Sequence, residues 1–392
     1  MGGPRLQALG LRPVVDAREL LVMGFTEILA HLPRIFQALR QVDESAQEKK
    51  PDIAILIDYP DFHFRLARRL RRQNIPLVYY IPPKVWAWRK RRVKFLQEMF
   101  AGILCILPFE KEFYRKRNIP AVYVGNPLTD ELPLSLTRSE ARSKLQLSAA
   151  GPVLVLMPGS RPSELKRHLL LMLDAALQAA EELKKRSGHQ MAGEGFPAQV
   201  THAFEKLTVL IPFPVTTEHS VWNRRIQEWT QSLAQRASLL DIRITQGNAH
   251  ECLVAADAGL IKSGTSTLEA ALLGCPHAVV YKPSAVSAWI FRHLVRYRGP
   301  VGLVNLVANW RDLDGGKQDF LAPEILCEDV TVPALKAAIL DLFLNLDSRT
   351  KMQRGFEKLR REMLEGSKDG NPSQRAAQEV LRIFKQSRMK EG

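Results

Sequence analysis

Short apolar runs alternate with stretches of helical periodicity along most of the chain. Nearly every run ends beside Gly, Pro or Asn, and most are followed by a segment with apolar residues at helical spacing. The runs expected to form strands are 52–58, 76–81, 102–107, 121–125, 152–157, 207–212, 241–247, 258–264 and 277–282. This alternation is typical of βαβ units, so the sequence predicts an α/β fold with doubly wound parallel sheets.

The series of strands is too long for one domain. A chain of 392 residues exceeds a single typical core, and a Pro-, Ser- and Thr-rich joint lies at 126–152. We therefore predict a first Rossmann-like domain over 1–140 and a second over 150–365. The strongly helical tail ends in a helix within 366–392, which could cross back to the first domain.

The positive net charge of the chain indicates which kinds of molecule it could bind. A formal net charge of +15 attracts nucleic acid, anionic lipid or a phosphorylated substrate. The basic stretches 65–72 and 89–94 stand out, and the first has the spacing of a packed helix with a solvated basic face. Neighbouring aromatic residues form no RNA-binding motif, so nucleic acid is not the expected partner. The four cysteines form no CxxC pair, which fits a reduced, cytosolic protein without a metal cluster.

The first candidate for chemistry follows the apolar run 153–157. Gly159, Ser160 and Arg161 stand just before Pro162, which suits the first position of a helix. Free N–H groups and the helix dipole favour an anion at such a turn, and the forked arginine suits phosphate. The alternative is a plain strand-to-helix turn with a solvated arginine.

The second candidate, at 262–276, repeats this arrangement. Ser263, Gly264 and Thr265 could present N–H and hydroxyl groups to phosphate, and Glu269 could accept hydrogen bonds from ribose hydroxyls. The alternative is a capping box in which Glu269 only satisfies a backbone N–H near Ser266. Two such loops in one half of the chain favour a nucleotide diphosphate.

A carboxylate in the first half could serve as a base. Asp58 ends a buried strand, where a crevice should open, and could accept a proton from a hydroxyl nucleophile. The alternative is an Asx-type turn before Pro60, and Asp61 is the rival carboxylate.

Two apolar features of the first half could contact sugar or lipid. Trp86 and Trp88 could pack against sugar rings or acyl chains, although a role as core anchors is the alternative. A helical stripe could lie in a membrane interface, although such stripes are usually core. Its predicted membrane-facing residues are Ile28, Leu29, Leu32, Ile35 and Phe36.

Seven motifs together resemble the bacterial lipid-A-disaccharide synthases in order and rough spacing. They are LVMGFTEIL, IDYPDF, VWAWRKRR, LPFEKEFY, VGNPL, MPGSRPSEL and SGTSTLE. The resemblance implies a GT-B architecture, with two Rossmann-like domains and a cleft between them. It implies transfer of 2,3-diacylglucosamine from UDP to 2,3-diacylglucosamine 1-phosphate, with inversion, formation of a β-1,6 disaccharide and release of UDP. It implies no metal or other cofactor, and a peripheral position on the cytoplasmic face of the inner membrane.

The resemblance also implies roles for single residues. Asp58 resembles the general base, and Arg161 resembles the cation that steadies the diphosphate. Asn305 resembles an asparagine near the nucleotide, and the stripe resembles a membrane-facing patch. The residues expected to bind substrate are Gly159, Ser160, Ser263, Gly264, Thr265, Glu269, Asn305 and Trp86.

Some features depart from the family pattern. Family members usually begin with a strand, a loop of the type Gly-Glu-x-Ser-Gly-Asp and a helix, so the acceptor sheet is expected to be one strand short. Cys327 stands where glutamine is usual, which is expected to weaken a nucleotide contact. The alternative functions are another GT-B enzyme acting on a UDP-sugar, or an inactive fragment that binds membrane or RNA.

Overall fold

The computed structural model describes residues 1–16, 25–85, 92–189, 204–215, 217–283, 299–309, 320–365 and 371–389. The chain divides into two compact units, Met1–Pro127 with Gly366–Gly392, and Leu128–Glu365. Each unit contains one sheet, and all strand pairs in the described ranges are parallel. The predicted α/β class with two parallel sheets is confirmed.

The first unit has a four-stranded sheet in the order β1-β2-β3-β4. Its strands are β1 (Ala54–Ile57), β2 (Leu77–Tyr80), β3 (Gly102–Cys105) and β4 (Ala121–Tyr123). Its first helices are α1 (Pro4–Ala8), α2 (Phe25–Lys49), α3 (Pro60–Arg72), α4 (Arg92–Met99) and α5 (Pro108–Arg115). Helix α3 buries Phe62, Leu66 and Leu70 and exposes Arg65 and Arg68, so the predicted packed helix with a basic face is confirmed.

The second unit has a six-stranded sheet in the order β10-β9-β8-β5-β6-β7. Its strands are β5 (Val153–Met157), β6 (Leu207–Phe213), β7 (Leu240–Gln246), β8 (Ala258–Lys262), β9 (His277–Tyr281) and β10 (Glu324–Leu326). Its helices are α6 (Leu128–Glu131), α7 (Arg138–Lys144), α8 (Pro162–His189), α9 (His219–Ser232), α10 (Ala249–Ala255), α11 (Thr265–Leu272), α12 (Leu303–Ala308), α13 (Val332–Leu344) and α14 (Leu346–Glu365). Strand β10 was not predicted, because its apolar run is short and lies between charged residues, with Glu324 before it and Glu328 and Asp329 after it.

The last helix of the chain, α15 (Pro372–Arg388), belongs to the first unit. Its Ile383 packs with Val78 and Leu104 on one face of the first sheet. Gly102 makes room for it, since an added Cβ would lie 2.5 Å from Cδ1 of Ile383. The other face packs against α2 and α3.

Strand β1 forms one edge of the first sheet. Its Ile55 pairs in register with Val78, so both side chains point to the face that carries α15. Ile55 and Ile57 nevertheless stay 45% and 44% exposed. Helix α15 therefore buries the centre of this face of the sheet more completely than its β1 edge.

The boundary between the units falls after Pro127, near the start of the predicted joint 126–152 and before residue 140, where the first domain was expected to end. The physical reason is a buried ion cluster. Asp257 is 1% exposed and accepts bonds from Arg138, from Arg142 at 3.0 Å and from the N–H of Val153 at 2.9 Å. These bonds tie α7 to the second sheet. No described helix is both long and apolar enough to cross a bilayer.

Low pH should lower the free energy of unfolding of the second unit, because His277 is buried there. Burial lowers the pKa of His277 to about 4, against about 6.5 in an unfolded chain. The unfolded state therefore binds a proton that the folded state does not, and stability falls as pH drops from about 6.5 to about 4, by up to about 3 kcal/mol. His277→Asn keeps a donor towards the carbonyl of Cys275 but does not titrate. Urea unfolding at several pH values should show a shallower acid slope for this variant, and equal slopes would contradict the assignment.

Candidate active site

In the second sheet, the direction in which successive strands are added reverses between the neighbouring strands β5 and β8. From β5 the chain continues to β6 and β7 on one side, whereas from β8 it continues to β9 and β10 on the other. Loops at the carboxyl ends of two such strands diverge and leave a crevice, which is where open α/β sheets bind ligands. A cavity of about 560 Å³ lies there. The predicted residues that line it are Gly159, Ser160, Arg161, Ser263, Gly264, Thr265 and Glu269.

Gly159 shapes the turn after β5. Its φ of +125° is a conformation that other residues rarely adopt, and an added Cβ would lie 2.6 Å from Cβ of Glu164. Helix α8 then begins at Pro162, as predicted. The turn therefore needs glycine both for its backbone and for the close approach of Glu164.

Replacing Gly159 by Ala should disturb the cavity. The methyl group would push Glu164 away and displace the turn. We therefore expect the affinity for UDP, the nucleotide that the sequence resemblance implies, to fall about 10- to 100-fold. Gly151→Ala is the matched control, because Gly151 also has a positive φ of +101° but nothing lies within 4 Å of its added Cβ. Calorimetric titration with UDP should separate the two variants, and equal affinities would contradict the role of the close approach.

A buried carboxylate holds the turn together. Glu164 accepts the N–H of Ser160 at 3.0 Å and Nζ of Lys262 at 2.8 Å, and it lies 3.6 Å from the Arg161 guanidinium. Burial alone would raise the pKa of Glu164, but the bonds from Lys262 and Ser160 lower it below its usual value. We predicted that the N–H of Ser160 is free to bind an anion. This prediction is wrong, because the N–H already donates to the Glu164 carboxylate.

Glu164 and Lys262 are lining residues of the cavity that were not predicted from the sequence. Both line the cavity, and their ion pair joins the start of α8 to the end of β8. The sequence held a signal for each. Glu164 is an acidic residue in the first turn of a helix, and Lys262 is a charged residue at the end of an apolar strand.

The turn after β8 places helix α11 against the cavity. Ser263 donates its N–H to the carbonyl of Val280 at 2.8 Å and its hydroxyl to that of Val301 at 2.9 Å. Ser263 therefore anchors the turn. The prediction that its N–H donates to phosphate is wrong, because this N–H already donates to Val280. Because α11 begins at Thr265, the N–H groups of Thr265 and Ser266 have no partner within the helix and can meet an anion.

Glu269 lines the cavity from the second turn of α11. The capping-box alternative is wrong, because the helix begins at Thr265 and Ser266 lies inside it. Oε2 of Glu269 instead lies 3.6 Å from Nε2 of His250, and this carboxylate raises the pKa of the histidine. The other carboxylate oxygen can accept a hydroxyl group.

Asn305 takes no part in the cavity. It is fully buried, donates to the carbonyl of Ala322 at 2.7 Å and to Glu324 at 2.8 Å, and accepts the N–H of Ala322 at 3.0 Å. The Asn305 amide joins α12 to β10. The prediction that Asn305 contacts the nucleotide is therefore wrong, because its amide is used within the fold. Cys327 follows β10 and also lies outside the cavity lining.

Asp58 follows β1 at the carboxyl edge of the first sheet, and its side chain is exposed. Pro60 has no N–H for an Asx turn, and no hydrogen bond to the Asp58 carboxylate occurs in the described part of the chain. The rival Asp61 forms an ion pair with Arg92. Asp58 is therefore the better placed of the two to accept a proton.

The remaining predicted residues lie mostly outside the described ones. Trp86 and the side chains of Ile28, Leu29 and Leu32 are among them. Ile35 is half-buried against the first core and Phe36 is 50% exposed, so the membrane-facing role of this stripe stays a prediction. A group of exposed apolar side chains near the start of the chain was not predicted from the sequence: Leu6, Leu9, Leu11 and Val14.

No three His, Cys, Asp or Glu side chains gather into a possible metal site within the described ranges. The cations at the cavity are instead side chains of the chain itself. Arg161 is 48% exposed and Lys262 is 19% exposed. The cavity thus combines two cations with free helical N–H groups, an arrangement suited to a diphosphate.

Comparison with known proteins identifies the relatives of this chain. The family model described as lipid-A-disaccharide synthetase matches residues 1–211 and 197–380. A lipid-A-disaccharide synthase of Myxococcus xanthus is 34% identical over 389 residues, which is 99% of this chain and 90% of the relative. One of Anaeromyxobacter dehalogenans strain 2CP-C is 36% identical over 385 residues, 98% and 89% of the two chains. The solved S. aureus MnaA–UDP structure aligns with a TM-score of 0.49 and 12% identity, covering 94% and 80%.

Proposed function

Because this chain belongs to the lipid-A-disaccharide synthase family, we propose that it joins two acylated glucosamine units at the sites described above. The donor is UDP-2,3-diacylglucosamine and the acceptor is 2,3-diacylglucosamine 1-phosphate. The products are the β-1,6-linked disaccharide 1-phosphate and UDP. The observation that carries the assignment of the site is the cavity between the turns after β5 and β8, where cations and free N–H groups converge.

The donor diphosphate binds in this cavity. Arg161 and Lys262 supply positive charge, and the N–H groups at the start of α11 supply hydrogen bonds. Glu164 keeps Lys262 in place through its 2.8 Å ion pair. Glu269 accepts a ribose hydroxyl. As the bond between sugar C1 and phosphate oxygen breaks, the charge that grows on UDP is stabilised by groups already in position.

Asp58 accepts the proton of the acceptor. The 6-hydroxyl oxygen attacks C1 of the donor sugar, its proton passes to the Asp58 carboxylate, and UDP leaves with the electron pair of the broken bond. Attack opposite the leaving group inverts the configuration at C1. The carboxylate is exposed at a strand end and is not engaged by another side chain in the described part, which supports this role.

The reaction is tested with the purified protein and both acylated sugars. We expect release of UDP together with one disaccharide 1-phosphate for each UDP formed. Acceptors without acyl chains serve as the comparison. UDP release without disaccharide, or equal turnover of the deacylated acceptor, would contradict the proposal and favour a different enzyme acting on UDP-sugars.

The protein works at the cytoplasmic face of an anionic inner membrane. The net charge of +15, the basic face of α3 and the exposed Leu9 and Phe36 support this placement. We expect sedimentation with vesicles that contain phosphatidylglycerol, and release at high salt. Equal binding to neutral and anionic vesicles would count against it.

A further inference from the structure

The backbone around Asp58 is strained. Asp58 and Tyr59 both have left-handed conformations, with φ of +50° and +44°. Ile81, at the end of the neighbouring strand β2, has a φ of +60°, which is unfavourable for a β-branched residue. Neither Asp58 nor Tyr59 is glycine, so this conformation must be held by surrounding interactions.

Two buried side chains hold it. The carbonyl oxygen of Asp58 accepts the hydroxyl of Tyr79 at 2.8 Å and Nδ1–H of His63 at 2.6 Å. On the other side, the N–H of Asp58 donates to the carbonyl of Tyr80 at 3.0 Å. The peptide groups on both sides of the Asp58 side chain are thus fixed.

The two donors cannot easily move. Tyr79 is fully buried and His63 is 6% exposed. Their rings lie 6.2 Å apart in an edge contact, and Tyr79 also packs against Phe64 and Phe100. Because a carbonyl oxygen can only accept, Nδ1 of His63 carries the proton.

We propose that Tyr79 and His63 are positioning residues that hold the Asp58 carboxylate in its reactive direction by clamping the carbonyl of the same residue. This inference rests on the proposed role of Asp58 as the base. Without the clamp, φ of Asp58 relaxes towards negative values and the bond from Cα to Cβ turns with it. The carboxylate then loses its alignment with the acceptor hydroxyl, while the donor cavity in the other unit is untouched.

The test compares variants of each donor in the full-length protein, at a temperature well below unfolding. Tyr79→Phe and His63→Leu each remove one donor, and we expect kcat to fall about 10- to 100-fold with KM and UDP affinity unchanged. His63→Asn keeps a donor near the position of Nδ1 and should recover most of the activity. Tyr123→Phe is the matched control, because the buried Tyr123 hydroxyl has no hydrogen-bond partner in the described part.

The results separate this inference from the proposed function. If Asp58→Asn retains full kcat, the role of Asp58 as base is overturned. If Asp58→Asn is inactive while Tyr79→Phe and His63→Leu keep full kcat, the clamp alone is overturned. A purely structural role would leave His63→Asn no better than His63→Leu, and this result also overturns the clamp.

Discussion

Replacing Asp58 by Asn is expected to lower kcat about 10²- to 10⁴-fold, the usual contribution of a general base. The amide cannot take the proton of the acceptor hydroxyl. Asparagine tolerates the left-handed backbone found at this position, so the loss should not come from misfolding. UDP affinity should stay unchanged, because the cavity proposed to bind the diphosphate belongs to the other unit. Steady-state kinetics and calorimetric titration with UDP measure the two quantities.

Asp61→Asn is the matched control for this experiment. Asp61 lies three residues further along, is exposed, and forms an ion pair with Arg92. Exposed ion pairs contribute little to stability, so the variant should fold normally and keep most of its activity. A large loss in Asp61→Asn together with full activity in Asp58→Asn would reverse the assignment of the base.

Arg161→Ala should lower kcat/KM for the UDP-sugar about 10²- to 10³-fold. The guanidinium lies at the cavity, 48% exposed, and its only described ion pair is the 3.6 Å approach to Glu164. It is therefore available to the diphosphate that we propose binds there, whose charge increases as UDP leaves. Arg161→Lys should recover only part of the loss, since an ammonium group cannot form two parallel bonds to phosphate.

Arg186→Ala provides the comparison for Arg161. Arg186 lies on the same helix α8, is similarly exposed at 49%, and pairs with Glu182 away from the cavity. It should leave the kinetics unchanged. Similar losses in the two variants would mean that the overall positive charge, and not the position of Arg161, governs binding of the UDP-sugar.

The elements and the two loops could be predicted because their signals are local. Apolar runs between Gly and Pro marked nine of the ten strands, and Pro162 marked the start of α8. The same succession of a strand, a turn of small residues and a helix occurs at Gly159 and at Gly264, and it predicted that both turns bind an anion. Topology then explains why two turns that are about 100 residues apart line one cavity.

The hydrogen-bond partners could not be predicted, because they come from distant parts of the chain. Ser263 is engaged by the carbonyl of Val301, and Asn305 by Ala322 and Glu324. No local pattern shows whether a polar side chain will meet a ligand or a buried carbonyl. Glu164 shows the same limit, because it lies in helix α8 and its partner Lys262 lies about 100 residues later, at the end of strand β8.

The chain begins and ends in the same unit, since α15 returns to the sheet that carries Asp58. The second unit, Leu128–Glu365, is therefore inserted between the two segments of the first unit. A chimera with a related synthase should exchange this internal block through two junctions. A single crossover after residue 127 would pack Val78 and Leu104 against the last helix of the other parent, so that the core of the first unit would combine side chains from two different proteins. Recombination during evolution faces the same restriction.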